Sequence, residues 1–212
     1  MTGSGLYQLA TKLASGAGAE QVFPEDKDHH LIATDGSRLA VTSATRAVDN
    51  QDLLVMDPSH PGKAEPFLQT PGPLFESMGR FSPDGRWLAY QSNESKRNEV
   101  YVQPYPASGG RWQISTAGGT APIWKGDGRE IFYTGPDDTV YAVPVEAKAS
   151  SLEVGNPVKL FQRVLVHATP QTYRWAADRD GQRFLLNVPV ENATPQSAQI
   201  VLNWAATLRQ NP

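Results

Sequence analysis

The sequence predicts an all-β protein, a β-propeller of about four four-stranded antiparallel blades. This prediction depends on two observations: Asp-Gly turns recur along the chain, and each turn is followed by the same succession of short strand-like segments. The turns lie at Asp35-Gly36, Asp84-Gly85, Asp127-Gly128 and Asp180-Gly181, between 43 and 53 residues apart. A period of roughly 40–50 residues with four short strands is typical of propeller blades.

Each Asp-Gly turn is expected to join strands A and B of one blade. Strand B follows the turn in "SRLAVTS", "GRWLAYQS", "GREIFYTG" and "GQRFLLNV", and strand C follows in "DLLVMDP", "EVYVQPYP", "TVYAVPVEA" and "QIVLNW". Three copies continue into a strand D, in "EPFLQT", "RWQIST" and "PVKLFQ". The sequence therefore predicts full blades at residues 31–70, 76–116 and 121–162, and an incomplete blade at residues 172–204.

A blade of this kind cannot bury both faces alone, so its neighbours must stack on it. Phe81, Trp124 and Trp175, at matching positions before their turns, are expected to fill the space between blades as core residues. We expect one domain over residues 1–212, in which residues 1–24 contribute strands to the last blade.

Two arrangements of the ring remain open. In the first, "AEQVF" at residues 19–23 supplies the missing strand D and closes a four-bladed ring, with "LYQLAT" as an additional strand. In the second, the chain is a piece of a larger propeller. A partial ring would expose blade edges that favour pairing with a second chain, so we expect a homo-oligomer in that case.

Composition limits the classes of function. A net charge of −3 over 212 residues argues against general nucleic-acid binding and against an electrostatic membrane anchor. No apolar run approaches the roughly 18 residues of a membrane span, and "MTGSGLYQLATK" lacks the features of a secretion signal. We therefore expect a soluble segment with no membrane insertion. The absence of cysteine excludes disulfides and thiolate metal sites and leaves the cellular compartment open.

The motif "RFSPDGRWLAYQS", followed by "NEVYVQPYP" and "WQISTAGGTAPIWKGDGREIFY", resembles the TolB-like, WD-type propeller repeat. The run through "GQRFLLNVPVE" to "IVLNWAATL" is similar to the C-terminal propeller of bacterial eukaryotic-like serine/threonine protein kinases. The resemblance implies a propeller fold. The chain has no kinase Gly-rich loop, no H-R-D and no D-F-G motif, so kinase activity is not implied.

Ligands of propellers usually meet the loops around the central channel, and the loops from strand D to the next strand A share one rim. This rim is expected to carry Asp26, Asp28, His29, His30, Glu76 and His167. Adjacent histidines beside carboxylates suit a divalent metal, for which His29, His30 and Asp28 are the candidate ligands. The alternative is that "EDKDHH" is a solvated run of charges. No cofactor is otherwise expected.

Three further motifs were considered as sites. The "DRDG" run at Asp178–Gly181 resembles the start of a calcium loop but lacks the later acidic ligands, so we interpret it as a turn. Ser59-His60 lies in a loop flanked by prolines and does not by itself indicate a nucleophile and its base. Tyr105, Arg111 and Trp112 are candidates for a protein-binding patch, with blade packing by Trp112 as the alternative.

The resulting hypothesis is a non-catalytic propeller that binds a protein, a peptide or a small ligand. One alternative is a hydrolase, of esterase, peptidase or glycan-cleaving type, with a metal or Ser/His site on the rim. A second alternative is an assembly fragment of a larger propeller. We expect Asp84 to bond backbone amides within its own turn, and therefore to be structural.

Overall fold

The structure is a computed structural model that describes residues 10–11, 19, 21–22, 29–34, 38–43, 51–57, 64–148, 151–165 and 174–189. All of the regular secondary structure in these residues is β-strand, and its sheets are antiparallel. The predicted all-β class is therefore confirmed. Within the same residues, the structure contains no helix of the length and apolarity that a membrane crossing needs.

Two four-stranded sheets follow the predicted blade order, with strands paired in chain order. The first blade consists of β3 (His29–Thr34), β4 (Leu39–Ser43), β5 (Asp52–Met56) and β6 (Ala64–Leu68). The second blade consists of β7 (Glu76–Phe81), β8 (Trp87–Ser92), β9 (Glu99–Pro104) and β10 (Trp112–Gln113). In each blade the four strands correspond to the predicted strands A to D.

The third blade has five strands, one more than the sequence predicts. It consists of β11 (Thr120–Trp124), β12 (Glu130–Thr134), β13 (Thr139–Ala147), β14 (Leu152–Val154) and β15 (Val158–Gln162). Strand β13 pairs with β15, the predicted strand D, through its first half and with β14 through Val145–Ala147. Strand β13 is nine residues long, so its second half extends beyond its pairing with β15. This second half offers backbone groups for pairing, and the additional hairpin β13–β14 forms there.

The remaining strands form two short sheets. Strand β1 (Ala10–Thr11) pairs with β2 (Gln21–Val22), and β16 (Trp175–Ala177) pairs with β17 (Phe184–Leu186), where they represent A and B of the fourth blade. Strand β2 lies in the segment 19–23 that we expect to close the ring. Its described partner is β1, so closure onto the fourth blade stays a prediction.

The Asp-Gly turns adopt one conformation in the last three blades. Gly85, Gly128 and Gly181 have φ values of 69°, 71° and 69°, which residues with a side chain adopt only at a steric cost. Each glycine N–H donates to the carbonyl of the residue three positions earlier, at 2.9 to 3.1 Å. The turn at Asp35-Gly36 lies outside the described residues.

The core of the molecule lies between the blades, as predicted. Phe81 belongs to the apolar cluster between the first and second blades, Trp124 to that between the second and third, and Trp175 to that between the third and fourth. All three are buried. Trp175 lies six residues before Gly181, whereas the other two lie four residues before their glycines, so the match is one of burial and not of position.

Candidate functional site

A groove of about 920 Å³ lies between the second and third blades, on the side of the molecule where the Asp-Gly turns lie. This side is opposite to the rim of loops that lead into each strand A. The groove has a wall of turn residues, a second wall made by the hairpin β13–β14, and a floor of two tryptophans.

The first wall is built by the turns of the second and third blades, including Ser82, Asp84 and Arg86. Asp84 Oδ1 accepts hydrogen bonds from the Ser82 hydroxyl at 2.5 Å and from the Arg86 N–H at 3.1 Å, and Asp84 Oδ2 accepts from Arg86 Nε at 2.7 Å. Burial acts to raise the pKa of Asp84, but these bonds outweigh it and hold the pKa below its ordinary value. The predicted structural role of Asp84 is confirmed, and the same turn also forms part of the groove.

The second wall is the hairpin that only the third blade possesses among the described blades. Pro144–Ala147 of β13 and the segment from Glu153 to Gly155 line the groove. The wall is fixed by backbone hydrogen bonds, from Val145 N–H to the Arg129 carbonyl and from Gly155 N–H to the Pro144 carbonyl, both at 2.8 Å. The groove is therefore specific to this pair of blades.

The floor consists of Trp87 and Trp124. Trp124 donates its indole Nε1–H to the Arg80 carbonyl at 3.1 Å. The Trp87 side chain is buried, its ring packs edge-on against Trp112 with centroids 5.5 Å apart, and its Nε1–H has no hydrogen-bond partner among the described residues. A buried indole N–H without a partner is uncommon in folded proteins.

The lining of the groove combines aromatic, hydroxyl and charged side chains. Its lining includes no histidine. The Ser82 hydroxyl already donates to the Asp84 carboxylate and accepts from the backbone N–H of Trp87 at 3.0 Å. Its charged side chains, Asp84, Arg86, Asp127 and Arg129 on one wall and Glu146 and Glu153 on the other, are exposed to solvent.

The predicted rim residues fall into three groups. Asp26, Asp28 and His167 lie outside the described residues. His29 and His30 are the first two residues of strand β3, and only their backbone is described. Glu76 is the first residue of β7 and is buried. No group of three or more histidine, aspartate or glutamate side chains with metal-binding geometry occurs in the described part of the chain, so the metal site at His29, His30 and Asp28 stays a prediction.

Glu76 has an unusual environment for a residue of a loop rim. It accepts a hydrogen bond from the Thr70 hydroxyl at 2.6 Å, and its other carboxylate oxygen has no partner among the residues that the structure describes. Burial, and to a smaller extent the nearby carboxylates of Asp52 and Glu94, raise the pKa of Glu76 above its ordinary value.

The candidate patch of Tyr105, Arg111 and Trp112 is not one surface. Tyr105 packs edge-on against Phe81 toward the first blade, with ring centroids 5.3 Å apart. Trp112 packs against Trp87 toward the third blade. The blade-packing alternative for Trp112 is therefore confirmed. Ser59-His60 lies outside the described residues.

The sequence analysis did not single out the groove residues, although two signals were present. The interval between the third and fourth Asp-Gly turns, at Asp127 and Asp180, is the longest of the three, and it accommodates the hairpin β13–β14. The second signal is Trp87, a residue type enriched at protein interfaces, which lies three residues after Asp84 in the turn of the second blade. Its unpaired N–H depends on the arrangement of the neighbouring blade.

The fold is shared with solved propeller structures. A protein described as TolB from Agrobacterium tumefaciens superposes with a TM-score of 0.52 at 16% identity, covering 72% of this chain and 61% of its own. TolB from Acinetobacter baumannii matches with a TM-score of 0.48 at 13% identity over 67% and 35% of the two chains. The Swd1 propeller domain of Myceliophteria thermophila matches with a TM-score of 0.44 at 11% identity over 59% and 41%.

No family model and no curated protein matches the sequence. This chain spans about three fifths of the length of the Agrobacterium protein, which agrees with a partial propeller. The antiparallel four-stranded blades and the likeness to the Agrobacterium protein establish that the chain has a TolB-like β-propeller fold.

Proposed function

We propose that this chain is a non-catalytic binding module and that the groove between its second and third blades holds an extended peptide segment of a partner protein. The observation that carries the proposal is the groove itself, in which the hairpin β13–β14 faces the Asp-Gly turns across a floor of Trp87 and Trp124.

The size and shape of the groove support this class of ligand. A volume of about 920 Å³ is at the upper end of ordinary small-molecule pockets, which hold roughly 300–1,000 Å³. The groove is bounded by two walls, and tryptophan is among the residues enriched at the anchor positions of protein interfaces.

The same lining favours binding over hydrolysis. A serine nucleophile needs a base within hydrogen-bond reach, and the groove offers Ser82 without a histidine. The Ser82 hydroxyl is instead part of the turn, because it donates to the Asp84 carboxylate.

The experiment is selection of a random peptide library displayed on phage against the immobilised chain, followed by fluorescence polarisation with the selected peptides. Arg129→Glu and Glu146→Lys reverse the charge of exposed residues on opposite walls of the groove. We expect each to weaken binding at least tenfold, about 1.4 kcal/mol. Lys159→Glu changes an exposed residue of β15 outside the groove lining and serves as the control, with affinity unchanged within about twofold.

Two results would overturn the proposal. One is that no peptide is enriched above an unrelated immobilised protein. The other is that selected peptides bind the groove variants and the wild type equally. Circular dichroism of each variant shows whether its fold is intact, so that a loss of binding is assigned to the groove and not to unfolding.

The interpretation as an assembly fragment makes a separate prediction. Leu185 of β17 is 77% exposed, on a blade for which only two strands are described. If that blade pairs with a second copy, light scattering gives the mass of a dimer, and Leu185→Asp returns it to that of a monomer.

A further inference from the structure

The seam between the first and second blades brings two buried carboxylates side by side. Gln51 and Phe75 form a parallel bridge, in which the Gln51 N–H donates to the Leu74 carbonyl at 3.0 Å and the Glu76 N–H donates to the Gln51 carbonyl at 2.8 Å. Asp52 follows Gln51, and Glu76 follows Phe75, on the two bridged segments. In a parallel register, residues at matching positions direct their side chains to the same side, so these carboxylates are neighbours.

Each carboxylate is held by one donor and keeps one free oxygen. Glu76 Oε1 accepts from the Thr70 hydroxyl at 2.6 Å, and Asp52 Oδ2 lies 3.5 Å from the Gln69 amide nitrogen. Glu76 Oε2 and Asp52 Oδ1 are buried without a hydrogen-bond partner among the described residues. The exposed fractions of Glu76 and Asp52 are 3% and 4%.

The Tyr90 hydroxyl is a further buried polar group on the same side of the second blade. Ser92 pairs with Glu76, and Tyr90 is two residues from Ser92 on β8, so Tyr90 and Glu76 share a face. The Tyr90 hydroxyl is buried and has no hydrogen-bond partner among the described residues. Burial raises the pKa of Tyr90, the Arg111 charge lowers it, and the charges of Glu94 and Glu76 add smaller rises.

The next seam shows how a single buried carboxylate is satisfied without any ion. Glu99 begins β9 as Asp52 begins β5, and it is fully buried. Its oxygens accept from the Gly118 N–H at 3.0 Å, from Arg97 Nε at 2.6 Å and from the Ser115 hydroxyl. Both oxygens of this carboxylate therefore accept hydrogen bonds from protein donors.

The position of Glu76 is occupied by Gly119 in that next seam. Strands β7 and β11 carry the same bulge, with Met78 at φ 59° and Ala121 at φ 53°, and Glu76 and Gly119 each lie two residues before it. The Gly119 N–H donates to the Asn98 carbonyl at 2.8 Å, as the Glu76 N–H does to Gln51. The first seam therefore has one more carboxylate than the second and fewer donors.

Two adjacent buried carboxylates repel each other and lack solvation, so they need a compensating positive charge. The nearby Arg111 is engaged with Glu94 in an ion pair and lies over the Tyr101 ring at 4.8 Å. Oxygen atoms of carboxylates are the ligands that hard divalent cations prefer, and carboxylates that bind metals are commonly oriented by a hydrogen bond to the other oxygen. Thr70 and Gln69 provide such bonds.

We propose that Asp52 and Glu76 bind a hard divalent cation at the seam between the first and second blades, with Asp52 Oδ1 and Glu76 Oε2 as its protein ligands. The Tyr90 side chain lies on the same face of the second blade as Glu76. The cation joins β5 of one blade to β7 of the next, so it ties the two blades together.

The test uses the full chain after dialysis against EDTA, with Ca²⁺, Mg²⁺ and Mn²⁺ chlorides as separate probes. We expect calorimetry to show one binding site for at least one of these ions, and thermal denaturation to show a higher Tm when it is present. Mn²⁺ binding is followed independently by loss of the free-ion electron paramagnetic resonance signal. Glu76→Gln and Asp52→Asn should each lower the affinity at least tenfold and remove the rise in Tm.

Asp137→Asn is the matched control, because it removes an exposed carboxylate at the corresponding side of the third blade and should leave binding unchanged. Absence of binding by the wild type to all three ions would overturn the proposal, as would equal binding by Glu76→Gln. A Tm that rises on acidification and never with cations also overturns it, since that result indicates a proton shared by the two carboxyl groups. If Asp52→Asn does not fold, Glu76→Gln alone decides between these outcomes.

Discussion

The buried carboxylate of Glu99 accepts a hydrogen bond from the Gly118 N–H at 3.0 Å, and this contact joins the second blade to the segment that leads into the third. Ser115 and Arg97 donate to the same carboxylate. Because Glu99 has no solvent exposure, water could not take the place of its carboxylate as the acceptor for the surrounding donors. The carboxylate is thus a structural element of the seam.

We predict that Glu99→Gln destabilises the protein by about 3 kcal/mol, since an amide nitrogen would face donors that need an acceptor. Urea denaturation followed by tryptophan fluorescence measures the change. Glu153→Gln, which alters an exposed ion pair with Lys148, is the control and should change the midpoint little. Equal midpoints for Glu99→Gln and the wild type would show that the hydrogen bonds of Glu99 contribute nothing.

Gly119 is predicted to tolerate no side chain. A Cβ at this position would lie 2.6 Å from Ser115 Cβ and 2.9 Å from the Tyr133 ring. Gly119→Ala should therefore cost about 2 kcal/mol, in the range of overpacked cores. Thr116→Ala, at an exposed position of the same segment, should be nearly neutral in the same denaturation experiment. A neutral Gly119→Ala would mean that the seam adjusts more freely than its packing indicates.

Lys96 offers a stabilising substitution. It is exposed and has a φ of 71°, a left-handed conformation that strains a residue with a Cβ. Lys96→Gly should raise the free energy of unfolding by about 0.5–1 kcal/mol, because the relief of strain exceeds the added entropy of the unfolded chain. Lys96→Ala retains the Cβ and should show no such gain. Differential scanning calorimetry of the two variants separates strain from the loss of the lysine charge.

Tyr133 predicts how the protein responds to alkali. Burial, with smaller contributions from Tyr141 and Glu99, raises its pKa from 10.0 to about 12. The raised value means that the unfolded chain ionises first, so stability is retained below about pH 10 and is lost as the pH rises toward 12. Tyrosinate absorbance during an alkaline titration measures this. In Tyr133→Phe the loss of stability between these values should be smaller, and an unchanged pH profile would contradict the assignment.

Turn chemistry made the blades predictable from the sequence. Glycine is needed at Gly85, Gly128 and Gly181 because of their left-handed backbone, and this requirement is local and therefore visible as a repeat. The burial of Phe81 and Trp124 followed from their apolar character in the same repeat.

The hairpin β13–β14 and the environment of Glu76 could not be predicted in the same way. Strand β14 has only three residues, too few for a hydrophobic alternation to be recognised. Glu76 is expected on the rim because it lies in the loop that leads into a strand A, whereas its environment depends on the bridge between Gln51 and Phe75, in which the Glu76 N–H donates to the carbonyl of Gln51, 25 residues away along the chain. Contacts of this kind have no signature in a single sequence.

The proposed binding function is tested most directly by the indole N–H spectrum of nitrogen-labelled protein during titration with a selected peptide. The five tryptophan signals are assigned with Trp→Phe variants, and Trp175 is an internal control, since its Nε1–H is also buried and unpaired but lies outside the groove. We predict that the Trp87 and Trp124 signals shift with the peptide while that of Trp175 does not. A peptide that binds and leaves the Trp87 and Trp124 signals unchanged would contradict the assignment of the groove as the binding site.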